Sequence, residues 1–158
     1  MVNQTNNFFQ EEAAMSKISV VYWSQTGNTQ AMAEAVGAGI SKAGKEADVV
    51  EVSGASMEDL KAAKVFALGC PAMGAEVLEE MEMEPFVEEV EGFAQGKTIA
   101  LFGSYGWGDG EWMRNWVEQM TGAGAEMIEA EGIIANEAPD ADAQAACEAA
   151  GKALAANA

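Results

Sequence analysis

The sequence predicts an α/β fold: a doubly wound parallel sheet of five strands with helices on both faces. Five short apolar runs recur along the chain, and three of them are almost continuously apolar. Such runs are typical of strands that are covered on both faces. A stretch with helical spacing follows each run. Because strands and helices that alternate in this way form right-handed crossovers, the pattern predicts one parallel sheet.

The five predicted strands are ISVVYW (18–23), ADVVEV (47–52), KVFALG (64–69), TIALFG (98–103) and EMIEAEGIIA (126–135). The first helix begins near Gln30, and Gly44 is a natural stop for it. The second starts at a capping-box-like Ser56 and Asp59, and two more lie in MEPFVEEVEGF and EWMRNWVEQMTGAG. Asp140 is the expected N-cap of an alanine-rich last helix.

Length and composition predict one domain. A chain of 158 residues can bury one sizeable core. Residues 1–16 are polar and aperiodic, so we interpret them as a poorly ordered extension, and residues 17–158 as the domain. The start of the chain does not resemble a secretory signal, and no apolar run is long enough to span a membrane. Cys70 and Cys147 form no CxxC pair, so we expect reduced thiols in a cytoplasmic protein.

The charge excludes several classes of partner and of chemistry. The chain has 26 acidic and 8 basic residues, a net charge of −18, and no histidine. Such a surface repels nucleic acid and anionic membranes and favours basic protein partners. Without histidine, His-based catalysis and nearly all histidine-ligated metal sites are excluded. We therefore expect no metal site, and no histidine is available as a catalytic base.

Ligands of doubly wound sheets bind beyond the carboxyl ends of the strands, where the winding reverses. The loops after strands one, three and four are therefore the candidates: SQTGNT (24–29), CPAMGAEVLEE (70–80) and GSYGWGDGEW (103–112). SQTGNT is small, polar and free of lysine and arginine, and it precedes a helix. Such a loop can hold a phosphate by N–H groups and hydroxyls. It is neither a Walker loop nor a GxGxxG fingerprint. The alternative is a capped helix start, with Asn28 or Thr29 as the cap.

The other two loops suggest a planar aromatic ligand. Trp107 lies among four glycines, which predicts stacking on a ligand, with a surface tryptophan as the alternative. Met73 is either a second face for that ligand or core filling. Glu76 either accepts a hydrogen bond from a ring N–H or is one more solvated acid. By contrast, Trp112 and Trp116 follow helical spacing and are predicted to be core.

Three motifs together resemble a known family. VYWSQTGNTQAMA, LGCPAMGAEVLEE and LFGSYGWGDGEWM are similar to short-chain flavodoxins of the clostridial type, and the resemblance covers residues 17–157. It implies the strand order 2-1-3-4-5, with FMN at the switch point. It also implies a low-potential one-electron carrier with non-covalently bound FMN, which is an electron-transfer protein and not an enzyme.

The resemblance implies this set of cofactor-binding residues: Trp23, Ser24, Gln25, Thr26, Gly27, Asn28, Thr29, Ala72, Met73, Gly74, Ala75, Glu76, Ser104, Tyr105, Gly106, Trp107 and Gly108. The SQTGNT residues would hold the phosphate. Trp107 would stack on the outer face of the flavin, Met73 would contact the inner face, and Glu76 would accept from the flavin N3–H.

Two positions in the second loop modify this expectation. Some relatives carry a serine where Pro71 stands, and proline has no N–H or hydroxyl to donate, so we expect the phosphate site to be one donor short. If the turn at Gly74 is of type II, the next position must take a positive φ. Ala75 would then be left-handed, at a cost of about 1–2 kcal/mol.

Other functions of this topology fit less well. An FMN-dependent quinone or NAD(P)H reductase is the main alternative, but no long inserted loop provides a second pocket. A receiver domain needs acidic residues where Trp23 and Cys70 end their strands, and a low-molecular-weight phosphatase needs an arginine where Glu76 stands. We expect a monomer that docks basic redox partners through an acidic rim, residues 76–91 with Asp109 and Glu111.

Overall fold

The computed structural model describes residues 17–158; the predicted extension, residues 1–16, lies outside the described part. The elements in chain order are β1 (Lys17–Tyr22), α1 (Asn28–Lys42), β2 (Glu46–Glu51), α2 (Met57–Ala62), β3 (Val65–Gly69), α3 (Met83–Glu91), β4 (Thr98–Tyr105), α4 (Glu111–Gly122), β5 (Glu126–Met127), β6 (Ile133–Asn136) and α5 (Ala141–Asn157). A single 3₁₀ turn, Val52–Gly54, follows β2.

The sheet has the predicted topology. Its strands follow the order β2-β1-β3-β4-β5, and every pairing between them is parallel. The central strand β3 is buried along its whole length, as its continuous apolar run indicates. The chain therefore reverses its winding between β1 and β3, and the carboxyl ends of β1, β3 and β4 lie side by side.

The fifth strand is not continuous, so that prediction is wrong. β5 pairs with Thr98 and Ile99, and β6 pairs with residues 102–105 of the same strand. From Ile99 to Phe102, β4 advances three residues, whereas the segment paired with it advances six, from Met127 to Ile133. The extra residues therefore leave the sheet. The N–H of Gly132 donates to the carbonyl of Glu129 at 3.0 Å, and Gly132 has a φ of 74°. A positive φ of this size favours glycine.

The helix ends follow the local signals. The Ser56 hydroxyl accepts from the N–H of Asp59 at 3.2 Å, and the Asp140 carboxylate accepts from the N–H of Ala143 at 2.8 Å. Gly44 follows the end of α1 with a φ of 88°. These three predictions are confirmed. α1 begins at Asn28, two residues before the predicted start.

The core lies on both faces of the sheet. α1 and α5 cover one face, and α2, α3 and α4 cover the other. Trp112 and Trp116 are each 1% exposed, which confirms their prediction as core. A Cβ at Gly39 would lie 1.9 Å from the carbonyl oxygen of Glu148, so α1 and α5 pack in close backbone contact. No helix within residues 17–158 is long and apolar enough to cross a membrane.

Candidate functional site

The three loops singled out in the sequence meet at the carboxyl edge of the sheet. They surround a cavity of about 170 Å³, and the residues that line it are Ser24, Gln25, Thr26, Asn28, Thr29, Pro71, Ala72, Met73, Ser104, Tyr105, Gly106 and Glu137. Ten of these are predicted site residues. The other seven predicted residues do not line the cavity: Trp23, Gly27, Gly74, Ala75, Glu76, Trp107 and Gly108. They lie in or next to the same loops.

The first loop is folded around its own serine. The Ser24 hydroxyl accepts from the N–H of Gly27 at 3.2 Å and from the N–H of Gln30 at 3.3 Å. Gly27, with a φ of 94°, is the N-cap of α1 and supplies no side-chain bond. Asn28 and Thr29 are the first helical residues, so the alternative that one of them caps the helix is wrong. Their N–H groups have no intrahelical partner.

Thr29 connects this helix start to β4. Its hydroxyl is 3.1 Å from the Ser104 hydroxyl and accepts from the Ser104 N–H at 3.3 Å. Thr29 is 1% exposed and Ser104 is 6% exposed. The bonds therefore lie inside the protein, where an unpaired N–H would be costly. They hold the start of α1 at a defined distance from β4.

The second loop makes a short turn. Met73 and Val77 exchange two backbone hydrogen bonds, of 2.8 and 3.0 Å. The residues with positive φ between them are Gly74, at 48°, and Glu76, at 56°. Ala75 is not left-handed, so in this conformation the expected strain at Ala75 is absent. Glu76 takes the positive φ instead. Because Glu76 is not a glycine, tertiary contacts must stabilise it in that conformation.

Glu76 has such stabilising contacts, because its carboxylate joins the second and third loops. Its side chain is buried, at 8% exposure, and Oε1 accepts from the N–H of Asp109 at 3.1 Å and of Gly110 at 3.2 Å. Gly108 makes room for it, since a Cβ there would lie 2.1 Å from Oε1. The alternative that Glu76 is a solvated acid is wrong.

The two side chains expected to flank a ring differ in environment. Trp107 is 68% exposed, so its indole offers a free face at the surface. Met73 is half-buried and lines the cavity. Neither side chain is fully buried in the core.

Two residues that line the cavity, Glu137 and Pro71, are not in the predicted set of cofactor-binding residues. Glu137 has a φ of 60°, and its N–H donates to the carbonyl of Tyr105 at 2.8 Å. It directly follows β6, whose carboxyl end lies at the same edge, and that position was the signal for it. Pro71 lines the cavity as well; that the phosphate site is one donor short stays a prediction.

Burial and backbone hydrogen bonds set the pKa values of a thiol and an acid next to the site. Burial raises the pKa of the Cys70 thiol to about 12, so this thiol is uncharged at neutral pH. Burial also raises the pKa of Glu79. Hydrogen bonds from the N–H groups of Met83, Glu82 and Met81 outweigh that effect and leave the pKa below its usual value. Glu79, near the end of the second loop, thus holds the chain that leads into α3 by accepting hydrogen bonds as a carboxylate.

The basic residues, all within residues 17–158, are distributed unevenly. Lys17 begins β1, and Lys45, Lys64 and Lys97 directly precede β2, β3 and β4. These lysines lie at the amino edge of the sheet, opposite the cavity. Lys42, Lys61 and Lys152 lie in the carboxyl-terminal halves of α1, α2 and α5, which end at that edge as well. Arg114, in the first turn of α4, is the basic residue at the carboxyl edge. No lysine or arginine lines the cavity.

Comparison with known proteins shows the family of the chain. The family model described as Flavodoxin matches residues 20–151. A flavodoxin of Clostridium beijerinckii is 48% identical over 125 residues, which are 79% of this chain and 91% of that protein. A flavodoxin of Megasphaera elsdenii is 43% identical, over 78% of this chain and 88% of that protein.

The fold is shared as well. The solution structure of two-electron reduced Megasphaera elsdenii flavodoxin superposes with a TM-score of 0.78 at 40% identity, and covers 88% of this chain and 98% of that one. Family, sequence and fold point to the same conclusion. The chain belongs to the flavodoxins, flavin-dependent proteins that transfer electrons between redox partners and are not themselves enzymes.

Proposed function

We propose that this flavodoxin binds FMN non-covalently at the carboxyl edge and carries single electrons at low potential between redox enzymes. The observation that supports this most is the chemistry of the cavity. The first loop and the start of α1 line it with hydroxyls and amides, and no basic residue lines it; we call this part the phosphate end. Tyr105 and Gly106 also line it and lead along the chain to the exposed Trp107; we call this part the ring end. A phosphate at the first and a flat ring at the second fit this arrangement.

The phosphate end suits a terminal monophosphate. The leading N–H groups of α1 point outward from a helix N-terminus, which favours an anion. The hydroxyls of Thr26 and Thr29 and the amide of Asn28 add donors. No residue there is suited to hold a metal or to transfer the phosphoryl group, and residues 17–158 contain no cluster of potential metal ligands. The residues therefore fit a ligand that is held and not turned over.

The ring end suits the isoalloxazine. Trp107 would stack on its outer face, Met73 would contact its inner face, and Glu76 would accept from its N3–H. One oxygen of Glu76 accepts two backbone N–H bonds in this structure, and within residues 17–158 the second oxygen accepts none. Bound FMN supplies the one-electron chemistry. The protein binds it, orients it and shifts the relative stability of its redox states.

The acidic surroundings predict a low potential. Glu76, Asp109 and Glu137 all lie at the carboxyl edge. A carboxylate about 12 Å from an added negative charge, at an effective dielectric near 40, opposes it by about 0.7 kcal/mol. That energy equals about 30 mV for one electron, since a tenfold change in the equilibrium constant is about 59 mV. Several such carboxylates appreciably lower the potential of the second couple, which is the step that adds the second electron to the flavin.

We further propose that basic partners dock at this edge, onto the acidic rim of residues 76–91 with Asp109 and Glu111. The lysines at the amino edge polarise the molecule, so its field turns the carboxyl edge toward a positive surface. Trp107, Val77 and Met81, with Met81 at 84% exposure, add apolar contact area on the same loops. We also propose a cytoplasmic monomer, consistent with the free, buried thiols of Cys70 and Cys147.

Ligand titration of the flavin-free protein tests this function. FMN, riboflavin and FAD are added separately and flavin fluorescence is followed. We expect FMN to bind at least about tenfold more tightly than riboflavin, since charge-assisted hydrogen bonds to its phosphate are lost in riboflavin. Stepwise anaerobic reduction of the complex should then show two separate one-electron steps in the visible spectrum.

Two results would contradict the proposal. A protein that takes up no flavin would refute the site. A single two-electron step, or rapid oxidation of NAD(P)H by the purified protein alone, would favour the reductase alternative over the carrier.

A further inference from the structure

We propose that Arg114 is a positioning residue of the cofactor site, whose guanidinium holds Asp109 and thereby fixes the loop of residues 106–110 against Glu76. The inference rests on the proposed function and adds to it a residue that none of the three binding motifs singled out. It concerns how the ring end of the site keeps its shape, since Trp107 lies in that loop.

One guanidinium contacts two different atoms of Asp109. Arg114 Nη2 donates to the carboxylate Oδ1 at 2.9 Å, and Nη1 donates to the backbone carbonyl at 3.0 Å. The N–H of the same Asp109 donates to Glu76 Oε1 at 3.1 Å. Three polar groups of Asp109 are thus held at once, two from α4 and one from the second loop. A residue fixed at three points cannot rotate about its backbone without breaking a bond.

The guanidinium is carried by a rigid element. The N–H of Arg114 donates to the carbonyl of Gly110 at 3.1 Å, in the first turn of α4. Two turns of that helix are anchored by Trp112 and Trp116, which are fully buried. The arginine therefore extends back from a fixed helix over a glycine-rich loop. Gly108 and Gly110, with φ of 88° and 93°, leave that loop little stiffness of its own.

The consequence reaches the ligand through Glu76. The N–H groups of Asp109 and Gly110 both point to Glu76 Oε1, and this orients the carboxylate that would accept from the flavin. A lysine keeps the charge but lacks the planar fork that holds two acceptors at once. The Arg114–Asp109 pair is exposed, with side chains 59% and 77% accessible, so it contributes little to global stability. Its role is therefore local.

Four variants separate the positioning role of Arg114 from the effect of its charge. Arg114→Lys keeps the charge and loses the fork. Arg114→Gln loses both and leaves the Asp109 carboxylate without its partner. The double variant Arg114→Gln with Asp109→Asn restores the net charge but not the contact with the carbonyl. Lys42→Gln is the matched control, because it removes a cation from another exposed pair, with Glu148, on the helices away from the site.

Two readouts are compared across the set. In flavin-free protein, amide hydrogen exchange at positions 109 and 110 should accelerate in the three Arg114 variants and stay unchanged in the control. In titrations with FMN, the dissociation constant should rise by about tenfold in Arg114→Lys and in the double variant, as for one lost charge-assisted hydrogen bond. Arg114→Gln should in addition lower the potential of the second one-electron couple, through its uncompensated carboxylate.

The outcomes are distinct. If Arg114→Lys and the double variant match wild type in both exchange and FMN affinity, Arg114 acts only through its charge and the inference is overturned. If wild type binds no FMN, the proposed function fails. The exchange rates still decide whether Arg114 positions the loop.

Discussion

Replacing Gly108 with alanine tests the contact between the second and third loops. Gly108 has a φ of 88°, and a Cβ there would lie 2.1 Å from Oε1 and 2.5 Å from Cδ of Glu76. Side chains do not approach that closely, so the carboxylate must leave its two N–H donors. Gly44→Ala is a matched control, because Gly44 has the same φ of 88° and no atom within 4 Å of its Cβ position.

The two variants share one cost and differ in the other. A left-handed alanine costs about 1–2 kcal/mol in either position. Hydrogen bonds to a charged group contribute about 1.5–3 kcal/mol each. Because the displaced carboxylate of Glu76 regains water, we expect Gly108→Ala to lose only about 1–2 kcal/mol beyond the loss in Gly44→Ala.

Urea unfolding of the flavin-free proteins measures this difference, and titration with FMN measures its effect on the site. Gly44→Ala should retain the affinity of wild type for FMN, and Gly108→Ala should lose affinity. Equal free energies of unfolding in the two variants, together with equal affinities, would show that Glu76 does not occupy the position beside Gly108.

Two further predictions concern the supports of the site. Glu79→Gln should lower the free energy of unfolding by about 1–2 kcal/mol at neutral pH, because a carboxylate there accepts three N–H groups. The folded pKa of Glu79 lies below its unfolded value, so its contribution is present above the unfolded pKa and is lost as the pH falls through the folded one. Unfolding curves of variant and wild type should therefore converge in acid, and a difference that persists there would contradict this account. Thr29→Val should lose about 1–3 kcal/mol, because it leaves the buried N–H of Ser104 unpaired, whereas Thr29→Ser should lose less; equal losses would contradict the role of the hydroxyl.

Local signals account for most of the fold. Continuous apolar runs identify the buried strands, because a strand covered on both faces has no polar side. Ser56, Gly44 and Asp140 mark helix ends through bonds to residues within four positions. The three candidate loops follow from the topology alone, since parallel strands place all their carboxyl ends at one edge.

The fifth strand is the exception, and the reason is register. Its residues pair with β4 at both ends, but six steps on one side match three on the other. Periodicity along a segment cannot show that mismatch, because it depends on where a distant strand places its N–H and carbonyl groups. The same holds for Glu137, which enters the cavity only through the end of that strand.

By itself, then, the sequence determined the α/β class, the order of strands and helices, and a polar loop without positive charge at a helix start. Only the tertiary structure decided which polar groups meet. Thr29 bonds to Ser104, 75 positions later, and Glu76 to the N–H groups of Asp109 and Gly110, 33 and 34 positions later. The physical reason is that a buried polar group must find a partner, and for these residues the partners lie on other strands and loops, at positions that only the packed sheet defines.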